Sequence, residues 1–273
     1  MALSLGSALA TKVYLGATEV SLAYLGATQV YTSSAFSAEA TNYFSRLDAA
    51  GDTTYVDYKQ PLANYIDSLV SLGGAYWDTM LSSTSFVGVG IQGVTVPLRD
   101  GMTVPTNNNF VAGDLDQLTG LKGDGSTKYL ATGLIGTDFT QDDVSLSVYI
   151  TAPATGFYAG SNTNDTGIYL REASFALNSS AFGAALGIGT TPTGGLIGVS
   201  RDNSADFDIR SNQTNFTEVV ASNSALSYEL TVFAVRGLAP MGARLTTYHA
   251  GPALNLATLE ALQDTLITEI AAI

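Results

Sequence analysis

Two stretches of strict alternation constrain this chain more than any other feature. Val144-Ser145-Leu146-Ser147-Val148-Tyr149-Ile150 and Tyr228-Glu229-Leu230-Thr231-Val232-Phe233-Ala234-Val235 place apolar side chains at every second position. A period of two belongs to a β-strand, whose successive side chains point to opposite faces. Between Ser82 and Pro252 the same character recurs in Lys128-Tyr129-Leu130, Phe157-Tyr158-Ala159, Gly167-Ile168-Tyr169-Leu170, Phe175-Ala176-Leu177, Leu196-Ile197-Gly198-Val199 and Arg244-Leu245-Thr246-Thr247-Tyr248-His249. Polar and Gly-containing turns separate these runs. Short strands at such spacing predict a mainly β domain, an antiparallel two-sheet jelly-roll sandwich with one face of each sheet packed and the other solvated.

Helical periodicity flanks this body. Ala38 to Leu47 reads as a helix closed by Ala49-Ala50-Gly51, with Gly51 able to take the left-handed C-terminal position. A second helix is expected from about Thr54 to Leu72, with Leu62, Tyr65, Ile66, Leu69 and Val70 as one buried stripe. Pro61 then belongs near its first turn, and Gly73-Gly74 stops it. Trp77 reads as a core plug on a short helical turn. This helical hairpin is expected to act as a linker over 33–81 that braces the body over 82–273. A C-terminal amphipathic helix from Leu254 to Ile273 carries Leu256, Leu259, Leu262, Leu266, Ile270 and Ile273, with Asn255 as its N-cap. It either packs on the body or contacts a neighbour.

The first 32 residues contain a repeat of period ten. Val13-Tyr14-Leu15-Gly16-Ala17-Thr18-Glu19-Val20 is matched by Ala23-Tyr24-Leu25-Gly26-Ala27-Thr28-Gln29-Val30, and Leu5-Gly6-Ser7-Ala8-Leu9 is a degenerate earlier copy. Each unit reads as strand, Gly-centred turn, strand, so Tyr14 with Glu19 and Tyr24 with Gln29 flank successive turns. So short a segment buries little by itself. A docking arm through Tyr14, Leu15, Gly16, Tyr24, Leu25 and Gly26 is one reading. A small meander packed on its own domain is the other.

Charge and composition narrow the function classes. Eleven Lys+Arg against 24 Asp+Glu give a net charge of −13. Nucleic-acid partners are disfavoured, because phosphate binding needs clustered cations. With Cys 0 and His 1, thiolate chemistry, cysteine zinc sites and two-histidine metal sites are excluded. No cofactor or metal is expected. Lys12 follows rather than precedes the first apolar stretch, so that stretch lacks the basic start of a secretory signal. No apolar run reaches the length of a membrane span. Folding in a reducing cytoplasm is the expectation.

The order of the pieces resembles a known family. Gly123-Asp124-Gly125-Ser126-Thr127-Lys128-Tyr129-Leu130, followed by Asp142-Asp143 and the Val144–Ile150 run, resembles the opening strands of concanavalin-A-like (laminin-G-like) jelly rolls. Thr247-Tyr248-His249-Ala250-Gly251 before the last helix resembles the way such domains end in phage proteins. The tandem Tyr-Leu-Gly-Ala-Thr repeats and the Trp77 segment resemble virion proteins of tailed phages, cyanophages in particular. The resemblance implies a non-enzymatic structural protein of the virion, a head decoration, fibre or tail component. It would be homo-oligomeric, assembled in the host cytoplasm and partnered with capsid or tail proteins, its repeats the anchor.

Few residues point to chemistry. Glucanases on this fold use a Glu-x-Asp-x-Glu strand, whereas Asp206-Phe207-Asp208 offers two acids at strand spacing and no Glu, and reads as a solvated strand face. His249 has no Gly-x-Ser-x-Gly elbow to serve. Gly123-Asp124-Gly125-Ser126 reads as a tight turn and Asn107-Asn108-Asn109 as a linker. Asn162, Asn164 and Asp165 in one loop, and Asp202 and Asn203 in another, are the polar positions suited to a glycan or an ion. Fourteen tyrosines suit sugar stacking and protein interfaces equally. A carbohydrate-binding adhesin for host surface glycans is therefore the alternative function.

Overall fold

A computed structural model describes residues 14–15, 18–19, 22–25, 28–32, 36–162, 168–173, 176–184, 186–189 and 191–273. The chain divides into two compact units, Met1–Ser37 and Ala38–Ile273.

In the first unit each decapeptide forms a hairpin of its own. Strands β1 (Tyr14–Leu15) and β2 (Thr18–Glu19) pair antiparallel with Tyr14 opposite Glu19. Strands β3 (Leu22–Leu25) and β4 (Thr28–Thr32) pair with Tyr24 opposite Gln29. The register is the one the repeat predicts.

The second unit opens with α1 (Ala38–Ala49), a 3₁₀ turn over Thr54–Tyr58, α2 (Lys59–Ser71) and α3 (Gly74–Thr79). The helix expected from Thr54 is thus 3₁₀ for its first turn, and Pro61 sits in the first turn of α2, where its missing N–H costs nothing. The strands follow in order: β5 (Ser82–Ser85), β6 (Thr106–Asn108), β7 (Leu115–Asp116), β8 (Gly120–Lys122), β9 (Tyr129–Ile135) and β10 (Val144–Ala152). Then come β11 (Gly156–Gly160), β12 (Ile168–Ala173), β13 (Ala176–Ala181), β14 (Leu186–Gly187) and β15 (Gly195–Arg201). Last are β16 (Phe207–Ser211), β17 (Thr214–Glu218), β18 (Glu229–Val232), β19 (Arg244–Gly251) and the helix α4 (Leu256–Ala271).

These strands build two antiparallel sheets. One runs β17-β16-β15-β10-β19-β8-β7, with β5 also paired to β19; the other runs β14-β13-β12-β11-β18-β9-β6. Leu146, Val148, Ile197, Val199, Leu230, Val232 and Tyr248 are fully buried. Burying an aliphatic side chain of this size stabilises by about 1.5–3 kcal/mol.

The sequence expectation of one solvated face per sheet fails for the first sheet. Ser83, Ser145, Ser147, Thr247 and His249 are all fully buried. The reason is that α2 and α4 lie over that face. Gln263 on α4 donates to Thr247 Oγ1 at 2.7 Å, Tyr149 donates to Asp264 at 2.6 Å, and Asn64 on α2 donates to Glu269 on α4. Small hydroxyl side chains let the helices approach a sheet that still reads as alternating.

The helical segment expected as a linker over 33–81 is accordingly part of the sandwich unit from Ala38 onward. Its buried stripe includes Leu62, Tyr65, Ile66 and Leu69, while Val70 is half-buried. Helix α4 packs on the body, capped by Asn255, whose side chain accepts from Thr258 N at 3.0 Å. Ile273 at its end is exposed.

Two further expectations are corrected. The run Tyr228–Val235 is not one strand: β18 stops at Val232 because Phe233 adopts φ 68° and the chain folds back, its N–H donating to Tyr158 O and its carbonyl accepting from Met241 N. The stretch Asn107-Asn108-Asn109 is not a linker: Asn107 and Asn108 pair with Leu130 and Tyr129 as part of β6.

Candidate functional site

The anchor residues expected from the repeat lie partly on the hairpins. Tyr14 and Leu15 form β1, and Tyr24 and Leu25 end β3; Gly16 and Gly26 fall outside the described residues. Among the described residues each hairpin is a sheet of two strands. A two-stranded sheet exposes unpaired N–H and C=O groups along both edges and is marginal in water without a surface to pack on.

The polar loops leave different sheets. Asn162 follows β11 in one sheet, and Asp202 and Asn203 follow β15 in the other; Asn164 and Asp165 fall outside the described residues. Asn203 organises its own turn. Its Nδ2 donates to Asp202 and Asp206, and its Oδ1 accepts from the amides of Ala205 and Asp206. Asp202, Asp206, Asp208, Ser200 and Asn255 line a cleft of about 300 Å³. Among the described residues no group of three or more His, Cys, Asp or Glu is arranged to hold a metal ion.

Asp124 is a turn residue, as expected. It accepts from the amides of Ser126, Thr127 and Lys128 and from the Thr127 hydroxyl. Slight burial acts to raise its pKa, but these hydrogen bonds outweigh it and hold the carboxyl below the usual range.

His249 sits inside the seam between β19 and α2. Its Nε2 lies 2.7 Å from the Tyr65 hydroxyl and its Nδ1 2.8 Å from Ser83 Oγ. Burial pushes the imidazole down to about 3. The ring is sealed from solvent and fully engaged, which is the geometry of a structural histidine rather than of a general base that meets a substrate.

One cleft escaped the sequence reading. Tyr76, Thr79, Asp138, Phe139, Thr140 and Asp143 line a space of about 550 Å³ between the end of the helical segment, the turn before β10 and the turn after β19. Its polar groups are the carboxylates of Asp138 and Asp143, each already accepting one backbone amide, from Ile135 and Ala253, and the hydroxyls of Tyr76, Thr79 and Thr140. The Tyr76 and Phe139 rings are nearly buried in its wall. Carboxylate oxygens with a free lone pair beside hydroxyls suit hydrogen bonding to a polar ligand. No local motif marks it, because its residues come from segments about 60 and 110 positions apart that only the fold unites.

No protein-family model matches the chain, and no curated protein sequence matches it. Solved structures do resemble it. The botulinum neurotoxin serotype D binding domain is 8% identical, with a TM-score of 0.47 over 69% of this chain and 51% of that one. Domain 4 of AbnA, a GH43 extracellular arabinanase from Geobacillus stearothermophilus in complex with arabinotriose, is 10% identical, with a TM-score of 0.39 over 67% of this chain and 98% of that one. The enzymatically active domain of bacteriophage CBA120 tailspike protein 2 is 14% identical, with a TM-score of 0.35 over 62% of this chain and 30% of that one. The chain spans about half the length of the neurotoxin binding domain that it matches.

Proposed function

We propose that this protein is a non-enzymatic structural component of a bacteriophage virion, a head decoration, fibre or tail part. Its N-terminal hairpins anchor it to capsid or tail proteins, and its helix-backed sandwich is displayed. It assembles as a homo-oligomer in the host cytoplasm. The observation that carries this reading is the arm: two consecutive decapeptides, each closed into a separate two-stranded hairpin, within a compact unit distinct from Ala38–Ile273. Such hairpins gain stability by pairing with or packing on a partner. The sealed position of His249 supports a structural role for that residue. Labelling purified particles with an antibody to this chain tests the reading. Label at a fixed site on each particle is expected, and particles free of the chain would overturn it.

A second reading, compatible with the first, is that the displayed unit is a carbohydrate-binding adhesin for host surface glycans. The cleft lined by Tyr76, Asp138, Phe139, Thr140 and Asp143 favours it. A glycan array probed with the full chain is expected to show binding that Asp143→Asn weakens. Absence of binding at millimolar sugar would overturn this reading and leave the first intact.

A further inference from the structure

Within Ala38–Ile273, the β17 edge of the first sheet is unlike the other sheet edges. Among the described residues, β7 and β14 are edge strands of two residues and β6 of three. The free side of β5 is covered, since the amides of Leu98 and Thr103 donate to the carbonyls of Ser83 and Leu81. Shortening and covering are the usual protections against edge-to-edge pairing. Among the described residues, strand β17 has neither. It is five residues long and pairs with β16 through five consecutive positions without a bulge. Thr214-Asn215-Phe216-Thr217-Glu218 contains no Lys and no Pro, and Val219 beside it is 83% exposed.

The hairpin also holds β17 ready. Asn212 and Gln213 both have positive φ, 50° and 63°, as a two-residue turn that follows the twist of the strands requires. The Asn212 side chain ties the turn down, accepting from Thr193 N and donating to Thr191 O. Such a turn closes on Ser211 and Thr214 as a hydrogen-bonded pair. Thr214, Phe216 and Glu218 therefore direct their backbone groups toward β16, and Asn215 and Thr217 direct theirs outward.

The geometry points to the occupant of this edge: a second copy of the same strand, antiparallel and centred on Phe216. This inference deepens the homo-oligomeric part of the reading above. In that register the outward groups of Asn215 face those of Thr217 of the other copy, and the two Phe216 meet as a non-hydrogen-bonded pair. Charge fits as well. Glu218, the only charge on β17, falls opposite Thr214. Because Thr217 neighbours Asp208 and Asn215 neighbours Arg210, one row across the joint reads Asp208, Thr217, then Asn215 and Arg210 of the other copy. The next row reads Ile209, Phe216, Phe216, Ile209. No like charges meet, and the pairing is self-complementary, as a two-fold interface requires.

The absence of cysteine from the chain makes the test clean. In the full-length protein, Phe216→Cys is expected to form a disulfide-linked dimer on mild oxidation. Thr214→Cys alone and Glu218→Cys alone are expected not to, because each lies several residues out of register with its own copy; mixed together they are expected to link. A mixture that links no better than either variant alone would overturn the proposal. So would an unchanged mass by light scattering for Phe216→Lys that retains its circular dichroism spectrum, where the proposal expects loss of the two-fold contact. Attachment to particles reads the arm separately: failed cross-linking with intact attachment overturns the edge pairing alone, and cross-linking without attachment overturns the anchor alone.

Discussion

The Tyr65 hydroxyl lies 2.7 Å from Nε2 of His249, tying α2 to the centre of the helix-covered sheet. Ser83 holds the other ring nitrogen. A neutral imidazole donates at one nitrogen and accepts at the other, which two hydroxyls satisfy. An imidazolium would donate at both and carry its charge into a dry seam.

This arrangement sets a pH dependence. The unfolded ring titrates near 6.5, whereas burial pushes the folded ring down to about 3. Below about 6.5 the unfolded chain binds a proton that the folded chain refuses. The full stability is therefore present above that value and falls on acidification toward about 3, by at most about 1.4 kcal/mol per pH unit. Urea midpoints between pH 7 and pH 5, where most carboxylates are still ionised, should fall for the native chain and stay nearly flat for His249→Gln. An equal slope in both would remove the histidine as the cause.

Arg210 and Glu260 form a buried ion pair at 2.5 Å, and the second oxygen of Glu260 accepts from Leu196 N at 3.1 Å. Removing one member leaves a buried charge unpaired. Arg210→Met should cost about 3–5 kcal/mol. Arg210→Met with Glu260→Leu should recover much of that loss, less about 1–3 kcal/mol for the orphaned Leu196 amide. Denaturant titration of both variants distinguishes a pair that matters through burial from a surface pair.

Asp52 is buried and accepts from Thr54 N at 2.8 Å and Gly90 N at 2.6 Å. A methyl group at Gly93 would run into its carboxylate and into Val89. Asp52→Ala should cost about 1–3 kcal/mol for each amide left unsatisfied, and Gly93→Ala should destabilise by displacing the same carboxylate. Thermal melts of the two variants should fall together. Native stability in Gly93→Ala would show that the loop 88–93 relaxes freely.

An oligomer that stabilises its subunits melts at a temperature that rises with protein concentration. The melting temperature of the full chain should rise over an approximately hundredfold range of concentration. An unchanged melt would argue against subunit contacts in the stability of the fold.

Much of the fold was legible because its signals are local. The Gly-centred decapeptides foretold the Tyr14–Glu19 and Tyr24–Gln29 pairings, and Asn255 foretold the start of α4. Other features were hidden for physical reasons. Ser145 and Ser147 alternate with apolar residues as solvated positions do, yet Ser145 donates to Pro252 O in the turn before α4 and Ser147 lies in the helix-covered face. Periodicity does not distinguish water from packed protein as the neighbour of a small hydroxyl. Phe233 reads as a strand residue by type, and only its positive φ shows that the strand has ended. The cleft around Tyr76 and Asp143 is assembled from distant segments, so no spacing in the chain could mark it.

In the proposed function the decapeptide arm attaches the displayed unit to the particle. The most direct test compares binding of the full chain and of a chain beginning at Phe36 to particles that lack the protein. The full chain is expected to attach, while the shortened chain keeps its fold and stays in solution. Attachment of the shortened chain at the level of the full one would contradict it.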